Sequence, residues 1–124
     1  MNAAQLPFLV EGLIILAAGA VGWFIRRAKK PYRAWKVVVH LFFFAWFTMG
    51  YGYVLYGLTL RPVPPVIWIP VALEGLALLV QVVTGLVLLF SKRARQRLPA
   101  AHLVSAAVLL ASDLVALVLA GFAV

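Results

Sequence analysis

Pro7-Phe8-Leu9-Val10-Glu11-Gly12-Leu13 returns 63 positions later as Pro70-Val71-Ala72-Leu73-Glu74-Gly75-Leu76. The match continues at Leu16/Leu79 and Gly22/Gly85, giving six identities over the nineteen positions 7–25 and 70–88. Leu and Gly recur readily in apolar sequences, but Pro and Glu do not. The chain has only three acidic residues, and two of them occupy this motif. A basic segment follows each copy, and after it a His-Leu pair, His40-Leu41 and His102-Leu103, which contain the only two histidines. The pattern is that of a duplicated unit in which each half keeps one Glu and one His.

The medium of the fold follows from composition. The chain is 66% hydrophobic and 11% charged, with a mean hydropathy of +1.10, outside the range of soluble domains. Four apolar stretches, near Pro7–Ile25, Trp35–Gly57, Val66–Phe90 and Pro99–Val124, approach or exceed the roughly 20 residues that carry a helix across a bilayer. They are continuous rather than alternating, and a helix satisfies its own backbone in lipid, so helices are expected and strands are not. The expected fold is an all-α integral membrane protein of four transmembrane helices, arranged as two tandem hairpins. A single membrane domain covers residues 1–124, with repeat halves at about 7–57 and 66–124. Each half crosses the membrane twice, so both share one orientation, and the expected symmetry is a pseudo-twofold axis along the membrane normal.

The formal charge of +8 is unevenly distributed. Six of the eleven Lys and Arg (Arg26, Arg27, Lys29, Lys30, Arg33, Lys36) fall in the first connection, and four (Lys92, Arg93, Arg95, Arg97) in the third. Arg61 is alone in the second. The positive-inside rule makes segments 26–36 and 91–98 cytoplasmic and both termini external, the expected location being a bacterial inner membrane. The partners this implies are the lipid bilayer, anionic headgroups at the basic segments, and further copies or other membrane subunits; nucleic acid is not among them. Charges follow the first apolar run rather than precede it, so that run is read as a retained helix, not a cleaved leader. With no cysteine, disulfides and thiolate metal sites are excluded.

Helical spacing gathers small and polar residues on one stripe of each segment: Glu11, Ala18 and Gly22; His40, Phe47 and Tyr51; Glu74, Gln81 and Gly85; His102, Leu109 and Asp113. Such stripes face protein, since a charge facing lipid mid-membrane costs about 2.5–3.5 kcal/mol. By depth, Glu11 and Glu74 fall near the outside, Asp113 near the midplane, and His40 and His102 near the inside. With Tyr51 and Gln81 they form a polar ladder. Three functions fit. An electron-transfer subunit would hold a b-type haem, or a quinone site, between His40 and His102, with the haem iron as the metal and propionates toward Lys36, Lys92, Arg95 or Arg97. A proton- or cation-coupled transporter or channel would use Glu11, Glu74 and Asp113, with Tyr51 and Gln81 on the pathway. A structural or assembly subunit would use the polar groups as interhelical glue. No nucleophile–base arrangement or phosphate loop is present, so the expectation leans away from catalysis.

Overall fold

The computed structural model describes residues 1–27, 34–91 and 99–122, and among them the fold is all-helical. Helix α1 spans Leu6–Arg27, α2 Ala34–Gly57, α3 Trp68–Phe90 and α4 Pro99–Ala120. All four are long and apolar enough to cross a membrane. At about 1.5 Å per residue, 22 to 24 residues reach about 33–36 Å, against a hydrocarbon core of about 30 Å. The expected restart at Pro99 coincides with the first residue of α4, where the missing N–H is no loss. Pro31 and the basic residues Lys29, Lys30, Arg33, Lys92, Arg93, Arg95 and Arg97 lie outside the described residues.

Each helix end has its own cause. After Gly57 the chain tightens through Thr59 N–H to Tyr56 O (3.0 Å) and Leu60 N–H to Gly57 O (3.2 Å), and Pro62, Pro64 and Pro65 prevent a return to helix. A 3₁₀ turn, Pro65–Ile67, then leads directly into α3. At the start of the chain, the Gln5 backbone N–H donates to Asn2 Oδ1 and the Asn2 backbone N–H to Gln5 Oε1, both at 3.0 Å. This reciprocal pair has the form of a capping box. The same two side chains reach across to α4, Asn2 Nδ2 donating to Ala120 O (3.1 Å) and Gln5 Nε2 to Leu117 O (3.1 Å). They occupy carbonyls that the end of α4 would otherwise leave unpaired. Helix α4 ends at Ala120, where Gly121 N–H and Phe122 N–H turn back to Val118 O and Leu119 O, both at 3.0 Å.

The helices form a ring in which α1 neighbours α2 and α4, and α3 neighbours α2 and α4. Helices α1 and α3 lie on one diagonal and α2 and α4 on the other, with no close backbone approach across either among the described residues. The α3–α4 contact is the most extensive and the α2–α3 contact the thinnest. One apolar cluster, including Phe8, Val54, Val71 and Ala116, fills the end where α1 begins and α4 finishes. A second, Ile15, Phe47, Ala77, Leu78 and Leu109, fills the middle. The outer surface is also apolar: Leu13, Phe24, Ile69, Leu76, Leu79 and Val118 are each 58–67% exposed. Carboxyls inside and Leu, Ile and Phe outside reverse the arrangement of a soluble domain.

Candidate functional site

All three acidic residues of the chain meet between the two apolar clusters. Glu11 and Glu74 are 0% exposed and Asp113 1%. One carboxylate oxygen from each lies within 4.8 Å of the others. Glu11 and Glu74 come from diagonal helices, so they meet across the bundle axis, and Asp113 enters from α4. No residue outside the three acids donates a hydrogen bond to any of their six oxygens among the described residues.

The packing that makes this possible is read from the glycines next to each acid. A Cβ on Gly12 would stand 2.7 Å from Asp113 Oδ2, so only glycine lets α4 bring its carboxyl against α1. Gly50 of α2 faces Glu11, where a Cβ would be 3.8 Å from Cδ. Gly75 gives room to Tyr51, whose hydroxyl would lie 2.6 Å from a Cβ there. That hydroxyl donates to Val71 O at 2.8 Å, so Tyr51 braces α2 against α3 beside the acids instead of donating to them. The repeated Glu-Gly therefore places a carboxyl and a close approach on consecutive residues of each half.

The layering is the same on every helix. One turn toward the chain ends lie Phe8, Val54, Val71 and Ala116, and one turn the other way Ile15, Phe47, Leu78 and Leu109. The carboxyls form one layer sealed on both sides by side chains with no polar atoms. Between α1 and α4, Gly12 leaves an apolar lateral groove flanked by Leu13, Leu110 and Leu114, with Asp113 at its floor.

Asp113 was expected at mid-depth because α4 was expected to reach Val124. With the helix ending at Ala120, Asp113 is seven residues from its end, about 10 Å, level with Glu11 and Glu74. The polar ladder expected from the sequence is thus gathered into two levels separated by the Ile15/Phe47/Leu78/Leu109 layer.

The second level is a directed chain of hydrogen bonds between α3 and α4. Ser105 Oγ donates to Gln81 Oε1 (2.5 Å), and Gln81 Nε2 donates to His102 Nε2 (3.0 Å). His102 Nδ1–H then donates to Thr84 Oγ1 (2.7 Å), which donates to Val80 O (2.7 Å). This order of donors assigns one neutral tautomer to His102. His40 is placed separately: its Nδ1–H donates to Lys36 O (2.8 Å), one turn back on α2, and its ring meets Phe44 edge-on at 6.4 Å. Phe44 also reaches Gly85, 3.6 Å from where a Cβ would be, with His102 Cε1 3.4 Å from the same point. The space beside Gly85 is lined by Phe44 and His102. Asn2 and Gln5 carry structure that was not singled out from the sequence; their Asn-x-x-Gln spacing was the available signal.

Comparison with family models, with curated proteins and with solved structures yields no match.

Proposed function

We propose that the chain is a small integral membrane protein that moves protons or a cation through an occluded carboxyl site formed by Glu11, Glu74 and Asp113. The observation that carries this is the convergence of every acidic side chain at one buried point without a donor. An unpaired charge there costs several kcal/mol, and three like charges cost more. A bundle that needed only cohesion would be more stable with apolar residues at these positions. The carboxyls are accounted for if their charge is compensated by exchangeable protons or a bound cation, which is what a coupled transporter requires. The apolar exterior supports membrane insertion, and the basic connections support cytoplasmic placement of segments 26–36 and 91–98.

The layering favours alternating access over a permanent pore. Apolar side chains close the site toward both ends, and the lateral α1–α4 groove that reaches Asp113 is itself apolar, so a path for water or ions requires one layer to part. The α3–α4 pair has the broadest contact and the Ser105–Gln81–His102–Thr84 chain, and it acts as the fixed unit. The α1–α2 hairpin meets it through the thin α2–α3 contact and the α1–α4 seam at Gly12. Movement of that hairpin withdraws Glu11 from Glu74 and Asp113 and changes the charge balance of the site.

A b-type haem between His40 and His102 has less support. Both ring nitrogens of His102 are engaged by Gln81 and Thr84, so ligation would dismantle that chain of bonds. The experiment is flux into liposomes of defined lipid, read by an entrapped pH dye under an imposed potential or cation gradient. Coupled flux is expected from the native chain and loss of it from Glu11→Gln, Glu74→Gln and Asp113→Asn. Unchanged flux in these variants would remove the carboxyl mechanism, and a Soret band in the gently solubilised protein would restore haem.

A further inference from the structure

We infer that the Glu11/Glu74/Asp113 layer is a binding site for a calcium-sized, oxygen-loving dication. This rests on the proposed carboxyl mechanism and names the class of ion the site takes.

The geometry comes first. Three oxygens no more than 4.8 Å apart share a point no farther than about 2.8 Å from all three, 4.8 Å divided by the square root of three. Calcium–oxygen distances are about 2.3–2.6 Å, so side-chain adjustments of a few tenths of an ångström bring the three into ligation. The donor set is all oxygen, with no imidazole or thiolate beside it, which suits Ca²⁺, Mg²⁺ or Mn²⁺ over Zn²⁺ or Cu²⁺.

The second observation is independent of the clustering. All six oxygens are buried and no group outside the three acids donates to them among the described residues, so once the carboxyls are ionised the oxygens are open to a cation. Calcium accepts six to eight oxygens and tolerates bidentate carboxylates, and three carboxylates supply six. Magnesium prefers a tight octahedron at about 2.0–2.1 Å and gives up its waters reluctantly. A layer capped by Phe8, Val54 and Val71 above and by Ile15, Phe47 and Leu109 below favours an ion that can shed its water. Charge selects for valence: a dication reduces three negative charges to one, whereas a monovalent ion leaves two.

Gly12 belongs to the site without ligating. A methyl group there would meet Asp113 Oδ2 at 2.7 Å and turn that carboxyl away from Glu11 and Glu74. It is a positioning residue whose effect on ion affinity is separable from the loss of a ligand.

The test is ⁴⁵Ca²⁺ equilibrium dialysis with the full chain in nanodiscs of zwitterionic lipid, which offer no anionic headgroups. One saturable Ca²⁺ per chain is expected, displaced by unlabelled Ca²⁺ at concentrations at least about tenfold below those of Mg²⁺. Glu74→Gln and Asp113→Asn should each weaken binding more than about tenfold, and Gly12→Ala about tenfold with all ligands retained. Absence of saturable binding, equal displacement by Mg²⁺, or unchanged affinity in the three variants would overturn the inference. Parallel proton flux separates the two proposals. Carboxyl-dependent flux without Ca²⁺ binding overturns the dication site and leaves the carboxyl mechanism standing; absence of both removes both.

Discussion

Glu74→Gln should make the protein more stable while abolishing transport. Glu74 takes part in two of the three like-charge pairs of the buried layer, with Glu11 and with Asp113. With the oxygens no more than 4.8 Å apart, each fully ionised pair repels by about 3.5 kcal/mol or more at an effective dielectric of about 20. Protons or a cation taken up by the site relieve part of this repulsion. The amide also brings N–H donors to acceptors that have none, and a hydrogen bond to a charged group contributes about 1.5–3 kcal/mol. A gain of about 2 kcal/mol or more is therefore expected at neutral pH with cations chelated. The assay is reversible unfolding in mixed micelles, followed by far-ultraviolet circular dichroism, with native and variant chains in the same lipid and buffer. Destabilisation by about 1 kcal/mol or more would refute the reasoning, since it would mean that the native carboxyl is held by favourable partners. A stabilised variant that still transports would refute the functional half alone.

Four further outcomes follow from other contacts. Gly75→Ala should cost about 1–3 kcal/mol by overpacking, because its methyl group meets the Tyr51 hydroxyl at 2.6 Å. Tyr51→Phe, which removes only the bond to Val71 O, should cost about 0.5–1.5 kcal/mol in the same unfolding assay and relieve part of the Gly75→Ala penalty in the double variant. Gln81→Leu should lose about 1–2 kcal/mol, on the scale of interhelical hydrogen bonds in membranes, with the loss confined to α3 and α4 in hydrogen exchange. Leu109→Ala opens the layer between the two polar levels. It should destabilise by about 2–5 kcal/mol and raise uncoupled proton leak in liposomes, where a core substitution away from that layer, such as Ala120→Gly, should not.

The four helices were legible because apolar length is a strong signal, and three of them held to within two residues at both ends, the fourth at its start. The exception was the end of α4. Its last residues are as apolar as the rest; Gly121 and Phe122 turn back on Val118 O and Leu119 O there, and Asn2 and Gln5 reach over to Ala120 O and Leu117 O. That contact joins residues more than a hundred positions apart, which local periodicity cannot register. Reading each helix by itself likewise separated Asp113 from Glu11 and Glu74, so the three carboxyls were read as rungs instead of one site. The repeated Glu-Gly pair was visible, but the reason for its glycine was not. Gly12 answers to Asp113 and Gly75 to Tyr51, and both partners lie on other helices. The histidines illustrate the opposite case. Equal depth and similar facing suggested a matched pair, yet His102 found Gln81 and Thr84 on α3, while the corresponding positions of α1, Ala18 and Val21, offer His40 nothing polar.

The central claim is that Glu11, Glu74 and Asp113 form one site, and infrared spectroscopy addresses it most directly. Difference spectra between acid and alkaline conditions, recorded on lipid films of the native chain, isolate the carboxyl C=O stretching bands. Glu11→Gln, Glu74→Gln and Asp113→Asn assign them. If the three groups share one buried layer, replacing any one should shift the bands and the titration midpoints of the other two, as coupled sites require. Three bands that disappear one at a time, with the remaining two unmoved, would contradict it.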